Sequence, residues 1–201
     1  IGANEGQFAL WISSLFPEAK IFSFEPLEGC FNKLNKRLSR YKNFTGFQMA
    51  LGEFEGELSI HRTQARSSSS ILEPDERLGE IFPGVGGSDT ERVILKKLDD
   101  VVKDLGIDLV ARVLVKLDVQ GYEDRVIRGG EKTLSEASII IVETSFFSLY
   151  RNQALFSDIY MDMNRLGFIY IGNLDQIVDP RNGQPVQADA VFINKTELAG
   201  L

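Results

Sequence analysis

Apolar residues along the chain follow two alternating spacings, one typical of amphipathic helices and one typical of buried strands. The helical spacing predicts helices over residues 7–16, 27–40, 98–105, 122–134 and 154–166. Short apolar runs predict strands over residues 20–24, 44–51, 57–61, 92–95, 113–117, 138–142, 168–171 and 190–193. Because strands and helices follow one another in turn, the pattern predicts a doubly wound, mostly parallel α/β sheet.

Three regions depart from this regular alternation. No helical pattern separates the last two strands, which predicts antiparallel neighbours at one edge of the sheet. Gly129 and Gly130 weaken the helix predicted over residues 122–134. Residues 66–90 contain a run of four serines, two prolines and several glycines, which predicts a mobile loop or lid between regular segments.

The chain begins directly at a glycine turn, residues 1–6, with the sequence I-G-A-N-E-G. A strand should precede such a turn in an α/β sheet, so we expect the natural protein to extend upstream of Ile1. The 201 residues suit one domain with a sizeable core. The sequence therefore predicts a single domain over residues 1–201 that lacks its N-terminal portion, including most of its first strand.

Charge and composition narrow the classes of partner. The net charge is −7, and no Lys/Arg-rich stripe interrupts the acidic balance, which argues against unaided binding of nucleic acid or of an anionic membrane. No apolar run approaches the length of a membrane span, and no secretory signal is visible. Cys30 is the only cysteine, which excludes an internal disulfide and fits a reducing compartment, so we expect a cytoplasmic protein.

The first candidate site is the glycine turn together with Glu25. Gly2 and Gly6 bracket the turn, and a predicted helix starts directly after it, where unpaired N–H groups and a backbone without Cβ atoms allow close approach of a ligand. Glu25 ends the next strand, at the spacing where an acidic side chain would hold the hydroxyls of a nucleoside ribose. A tight turn without a ligand is the alternative interpretation.

The second candidate site lies where later strands end. Lys116 and Asp118 share one face of the strand predicted over residues 113–117, and Glu143 ends the strand that follows. Lys116 needs a partner in a buried strand, and pairing with Asp118 or Glu143 is the purely structural interpretation. Because ligands bind at the carboxyl ends of strands in open α/β sheets, we expect Glu25, Asp118 and Glu143 to line one rim.

The motifs I-G-A-N-E-G, F-E-P, K-L-D-V-Q-G-Y-E and I-V-E-T occur in this order along the chain. Together they resemble the FkbM-type family of S-adenosylmethionine-dependent methyltransferases, over nearly all of residues 1–195. The resemblance implies the class I methyltransferase (Rossmann-like) fold and transfer of a methyl group to a hydroxyl oxygen. It also implies that the acceptor is a sugar or another small molecule. The family's acidic residue at the end of its first strand would precede Ile1.

The resemblance also implies roles for individual residues. Gly2, Ala3, Asn4 and Gly6 would hold the methionine portion of S-adenosylmethionine. Glu25, followed by Pro26, would hold the ribose hydroxyls. Ala50 and Leu51 would flank the adenine. Asp118 would sit beside the sulfonium and the acceptor.

Methyl transfer to a hydroxyl requires alignment of donor and acceptor and a general base that removes the proton. Asp118 is our first choice for that base, Glu143 the second, and His61, the only histidine, the rival. A Mg²⁺ ion held by Asp118 and Glu143 is a further alternative. Ser68, Ser69 and Ser70 are candidates to cover the acceptor.

Two other classes of function fit parts of the sequence. A nicotinamide-dependent oxidoreductase would use Glu25 in the same way, although the turn lacks the G-x-G-x-x-G spacing and no Tyr-x-x-x-Lys pair follows. A non-catalytic cofactor-binding module of a longer protein is the second alternative, and the retained Asp118 and Glu143 count against it.

Overall fold

The computed structural model describes residues 1–63, 69–82, 85, 89–109 and 112–198. The described helices are α1 (Gln7–Leu15), α2 (Glu28–Leu38), α3 (Glu76–Ile81), α4 (Leu98–Asp104), α5 (Glu123–Gly129), α6 (Glu131–Ser135), α7 (Phe156–Arg165) and α8 (Lys195–Leu198). The described strands are β1 (Ile21–Phe24), β2 (Phe44–Phe47), β3 (Ala50–Leu51), β4 (Gly56–Arg62), β5 (Asp89–Lys96), β6 (Leu114–Leu117), β7 (Ile139–Ser145), β8 (Phe168–Val178) and β9 (Pro185–Asn194). Helices and strands alternate from α1 to α7 except at β2–β4 and at α5–α6, and this mixed order confirms the predicted α/β class.

The strands pair in three groups, and Ile1 and Gly2 join two of them. β1 pairs in parallel with β2, β5 lies between β3 and β4, and the largest group has the order β6-β7-β9-β8. Ile1 lies between β1 and β6, because its N–H donates to the Lys116 carbonyl over 2.8 Å and its carbonyl accepts from Asp118 over 3.1 Å. On the other side, the Gly2 N–H donates to the Phe24 carbonyl over 3.0 Å. The first two residues thus occupy the place of a strand between β1 and β6.

The C-terminal strands are antiparallel, as predicted, but the last one does not form the edge. β9 pairs with β7 on one side and with β8 on the other, so β8 is the edge strand. The buried residues explain this order, because Val186, Ala188, Ala190 and Phe192 of β9 are fully or almost fully buried. In β8 the only buried residue is Phe168. Apolar residues at every second position of β9 therefore favour the interior place in the sheet.

The helix predicted over residues 122–134 breaks where the two glycines predicted a weakness. α5 ends at Gly129 and α6 begins at Glu131. A Cβ atom on Gly129 would lie 1.8 Å from the Gly52 carbonyl oxygen, so the lack of a side chain lets α5 approach the loop after β3. The glycine is required by close packing.

The segment predicted to be an irregular loop contains a helix. Residues 64–68, 83–84 and 86–88 lie outside the described residues, but Glu76–Ile81 form α3. The Asp75 side chain caps this helix by accepting from the Arg77 N–H over 3.2 Å. Leu78 and Ile81 are buried, so this part of the segment is folded against the body of the protein. The prediction of an irregular loop was wrong here, because six residues are too few to show a helical spacing.

Within the described part of the chain, none of the helices combines the length and the apolar character needed to cross a bilayer.

Candidate active site

A cavity of about 560 Å³ opens at the carboxyl ends of β1, β3, β6 and β7. Its volume lies in the range typical of small-molecule sites. Glu25, Asp118 and Glu143 all line it, which confirms the predicted rim of three carboxylates. Gly2, Asn4, Pro26, Ala50 and Leu51 also belong to its wall. This is the position where open α/β sheets bind their ligands.

The carboxylate of Glu25 is fixed by the backbone on both sides. Oε2 accepts from the Asn4 N–H over 2.8 Å, and Oε1 accepts from the Leu27 N–H over 2.9 Å. Burial raises the pKa of Glu25 above its usual value, and these two N–H donors oppose the shift. Each oxygen keeps a second lone pair, so the side chain can still accept from a ligand in the cavity.

The glycine turn brings Asn4 to the cavity. Gly2 has φ +74°, and a Cβ atom there would lie 1.8 Å from the Asp118 carbonyl oxygen, so only glycine lets the turn lie against the end of β6. Asn4 also has a positive φ, 48°, which directs its side chain into a buried position. Asn4 Oδ1 is buried and has no hydrogen-bond partner, and among the described side chains it is the single buried polar atom in that state. A ligand with a hydrogen-bond donor at this point would satisfy it.

Ala3 and Gly6 lie elsewhere. The described cavity wall includes neither of them. Ala3 packs against a small apolar cluster that contains Leu34 and Leu38. Gly6 has φ +86° at the start of α1, and a Cβ atom there would lie 2.8 Å from Leu34 Cδ1. Gly6 therefore allows α1 to pack on α2, rather than a ligand to approach.

Lys116 is held between two aspartates. Its Nζ lies 3.0 Å from Asp118 Oδ2 and 3.0 Å from Asp189 Oδ1, and its side chain is 12% exposed. Burial lowers the pKa of Lys116, but the charges of Asp118 and Asp189 outweigh this effect, so the pKa lies above its usual value. The predicted pairing with Asp118 is confirmed, and the second partner is Asp189 instead of Glu143. Lys116 itself does not reach the described cavity wall.

Gln120 connects Asp118 and Glu143 on the rim of the cavity. Its Nε2 donates to Asp118 Oδ1 over 2.9 Å and to Glu143 Oε2 over 2.7 Å, and its Oε1 accepts from the Tyr150 hydroxyl over 3.0 Å. Glu143 Oε2 also accepts from Gln187 Nε2 over 3.1 Å. Burial, followed by the charge of Asp118, raises the pKa of Glu143 well above its usual value. Glu143 therefore holds a proton more readily than an ordinary glutamate does.

The Mg²⁺ alternative does not fit this arrangement. Among the residues that the structure describes, no group of three or more His, Cys, Asp or Glu side chains could hold a metal ion. The position between Asp118 and Glu143 is taken by the amide NH₂ of Gln120, which is a donor and cannot ligate a cation.

His61 and the serines have different positions relative to the cavity. His61 lies in β4, outside the described wall, and its backbone pairs with Ser70. Ser69 lines the cavity, and Ser70 Oγ donates to the Gln120 carbonyl over 2.5 Å. Ser68 lies outside the described residues. Of the candidate bases, the structure thus places Asp118 and Glu143 at the cavity.

Sequence reasoning missed four residues of this site, namely Gln120, Tyr150, Gln187 and Asp189. Gln187 and Asp189 lie in β9, which pairs with β7, and Asp189 is the direct neighbour of Glu143 in that pairing. The alternating polar and small residues of Q-A-D-A were the available signal, because they indicate a polar face next to the buried strand. Gln120 has φ +57° and precedes Gly121 at φ +94°, a turn that the Q-G pair indicates.

The geometry agrees with what comparisons with known proteins show. Residues 1–170 match the family described as the methyltransferase FkbM domain. The chain is 29% identical over 160 residues to the 2-O-methyltransferase NoeI of Sinorhizobium fredii, a match that covers 76% of this chain and 65% of NoeI. It is 30% identical over 193 residues to the methyltransferase sdnD of Sordaria araneosa, with 82% of this chain and 73% of sdnD covered.

A solved structure shares the fold. The FkbM methyltransferase of Methylobacillus flagellatus KT superposes with a TM-score of 0.55 at 13% identity, covering 96% of this chain and 41% of that protein. The chain thus spans less than two thirds of NoeI and of this structural neighbour. The family match covers most of the sequence, and the fold is the class I methyltransferase fold that the motifs implied. This chain belongs to the FkbM family of methyltransferases.

Proposed function

We propose that this protein transfers the methyl group of S-adenosylmethionine to a hydroxyl oxygen of a sugar or another small molecule. The observation that carries the proposal is that one cavity contains both groups that suit the cofactor and carboxyl groups that suit a general base. The buried, unpartnered Asn4 Oδ1 and the buried Glu25 line the same cavity as the carboxyl groups of Asp118 and Glu143. The name of NoeI, a 2-O-methyltransferase, supports transfer to oxygen.

Glu25 and Asn4 fit the nucleoside and amino-acid parts of the cofactor. The free lone pairs of Glu25 would accept from the two ribose hydroxyls, and Asn4 Oδ1 would accept from the ammonium group of the methionine portion. Ala50 and Leu51 provide an apolar wall for the adenine, beside Pro26. When bound, S-adenosylmethionine supplies a methyl group on a positively charged sulfur, which is open to attack by an acceptor oxygen.

Asp118 is the general base in this proposal. It lines the cavity with a side chain that is 32% exposed, so an acceptor hydroxyl can reach it. Lys116 and Gln120 fix both of its oxygens and so define the direction from which it takes the proton. The raised pKa of Glu143 favours its protonated form, in which this carboxyl would donate a hydrogen bond to the acceptor.

Calorimetry with S-adenosylhomocysteine and with NAD tests the cofactor assignment directly. We expect saturable binding of S-adenosylhomocysteine and none of NAD, and binding of NAD instead would replace the proposal with an oxidoreductase. Radiolabelled S-adenosylmethionine, offered with a panel of sugars, alcohols and amines, then tests the reaction. Label in an ether product supports the proposal, whereas label on amines alone contradicts transfer to oxygen.

A further inference from the structure

One part of the cavity wall is apolar. It consists of Leu78, Ile81, Phe82 and Val85, which pack in a cluster separate from the one that contains Ala50. Leu78 and Ile81 belong to α3, the helix inside the segment between β4 and β5, and neither is accessible to bulk solvent beyond 7% of its surface. An apolar wall of this kind stabilises a ligand that removes apolar surface from water.

Hydrogen bonds and apolar packing connect this apolar wall to Asp118, the proposed base. The Asp75 N–H donates to the Leu149 carbonyl over 2.9 Å, and Leu78 and Ile81 pack in one cluster with Leu149 and Tyr150. The Tyr150 hydroxyl in turn donates to Gln120, which contacts Asp118 and Glu143. The apolar wall and the carboxylates therefore belong to one connected structure.

The charges of the cavity restrict what can lie there. Its charged residues in the described wall are three carboxylates, Glu25, Asp118 and Glu143, and no Lys or Arg side chain accompanies them. A phosphorylated or carboxylated acceptor would find no Lys or Arg counter-charge in that wall. A neutral acceptor needs no such counter-charge.

We propose that the methyl acceptor is a neutral alcohol with an apolar arm, and that the arm packs against α3 while the hydroxyl lies at Asp118. This inference rests on the proposed function, because it assumes that the cofactor occupies the end of the cavity at Gly2, Asn4 and Glu25. It narrows the acceptor from any small hydroxyl compound to one with an aliphatic or alicyclic part next to the reacting hydroxyl. A free, unsubstituted sugar lacks that part.

Three glycosides with the same sugar separate the arm from the hydroxyls: methyl, hexyl and 6-aminohexyl β-D-glucoside. Their affinities are measured by ligand-observed NMR on the protein saturated with S-adenosylhomocysteine. We expect hexyl glucoside to bind at least about tenfold more tightly than methyl glucoside, since each buried methylene adds to the transfer free energy. The 6-aminohexyl compound should lose most of that gain, because its ammonium group cannot enter an apolar wall without cost. Equal affinities for the methyl and hexyl compounds overturn the inference, as does tighter binding of the 6-aminohexyl compound.

Two variants of α3 locate the effect. Ile81→Asn should remove the preference for hexyl over methyl glucoside, and Ile81→Val should reduce it about twofold or more. Gly79→Ala is the matched control on the same helix, because a Cβ atom there meets nothing within 4 Å, and it should leave the preference unchanged. S-adenosylhomocysteine binding reports folding of each variant, and Ile81→Val decides the matter if Ile81→Asn does not fold. An unaltered preference in Ile81→Val and in a folded Ile81→Asn overturns the placement of the arm. Failure of the parent protein to bind S-adenosylhomocysteine contradicts the proposed function instead.

Discussion

Asp189 Oδ1 lies 3.0 Å from Lys116 Nζ, the same distance that separates Lys116 Nζ from Asp118 Oδ2. The two aspartates share one cation, but they differ in their relation to the cavity. Asp118 lines it, whereas Asp189 is absent from the described part of its wall. This makes them a matched pair for separating a role in proton removal from a role in supporting Lys116.

Asp118→Asn keeps the shape of the side chain and removes its basicity. We expect turnover to fall by about 10²–10⁴, the usual contribution of a positioned base, with affinity for S-adenosylhomocysteine unchanged within about threefold. The stability loss should stay below the roughly 3–5 kcal/mol of an unpaired buried charge, since Asp189 still pairs with Lys116. Transfer of labelled methyl and urea unfolding measure the two effects.

Asp189→Asn is the control for this prediction, because it weakens the support of Lys116 and leaves the proposed base in place. Its turnover should stay within about tenfold of the parent protein. Replacing both aspartates with asparagine should cost about 3–5 kcal/mol, because Lys116 then loses both partners. Full turnover in Asp118→Asn would place Asp118 in the framework and leave Glu143 as the base at the cavity.

Glu25→Gln tests the proposed ribose contact. The carboxylate accepts from the backbone on both oxygens, so an amide must turn its NH₂ toward one N–H donor or toward the ligand. We expect affinity for S-adenosylhomocysteine to fall about tenfold or more, since a charge-assisted hydrogen bond contributes about 1.5–3 kcal/mol. Glu28→Gln, at an exposed position nearby, should leave the affinity unchanged. Calorimetry that finds equal affinities for Glu25→Gln and the parent protein would remove Glu25 from the site.

Gly2→Ala should disturb both stability and the base. The new methyl group would lie 1.8 Å from the Asp118 carbonyl, at a backbone φ of +74° that alanine rarely adopts. We expect a loss of at least about 2 kcal/mol in the free energy of unfolding, together with lower turnover as the end of β6 shifts. Gly79→Ala is the control, because it lies in a helix with open space around it and should be neutral or slightly stabilising. A Gly2→Ala protein as stable as the parent would show that the turn can move away from β6.

The parts of this site that could be predicted from sequence are those fixed by the ends of strands. Glu25, Asp118 and Glu143 each follow an apolar run, and parallel strands bring such positions to one edge of a sheet. The local sequence pattern was therefore sufficient to predict the rim of carboxyl groups and the helix break at Gly129.

The missed parts depend on pairing and on backbone direction. Asp189 reaches Lys116 because β9 lies between β7 and β8, and no local pattern states which strand is the neighbour of β7. Gln120 reaches both carboxylates from a backbone with positive φ, which directs its side chain differently from that of a strand residue. Ala3 and Gly6 belong to the glycine motif, but helix packing of α1 on α2 explains their small size. A motif thus locates a site better than it assigns each of its residues to a ligand.

Glu123 gives the protein a pH-dependent stability that is separate from catalysis. It is 3% exposed, and its Oε1 accepts from the Val119 N–H over 2.9 Å, which supports the turn after Asp118. Burial raises the pKa of Glu123 to about 8, although backbone N–H donors oppose the shift. The ordinary pKa of a glutamate is 4.5. At pH values between 4.5 and about 8, Glu123 therefore holds a proton in the folded protein that it has released in the unfolded chain. The contribution of Glu123 to stability should therefore be largest below pH 4.5 and fall as the pH rises toward about 8.

Glu123→Gln removes this titration and keeps an oxygen that can accept from Val119. We expect the free energy of unfolding to fall less steeply between about pH 5 and 8, with a slope shallower by up to about 1.4 kcal/mol per pH unit. The slope should be reduced and not abolished, because the raised pKa of Glu143 acts in the same direction. Glu18→Gln, at an exposed position, is the control and should leave the slope unchanged. Urea unfolding of the three proteins across this range measures the effect, and parallel curves for Glu123→Gln and the parent would mean that Glu123 is ionised in the folded state.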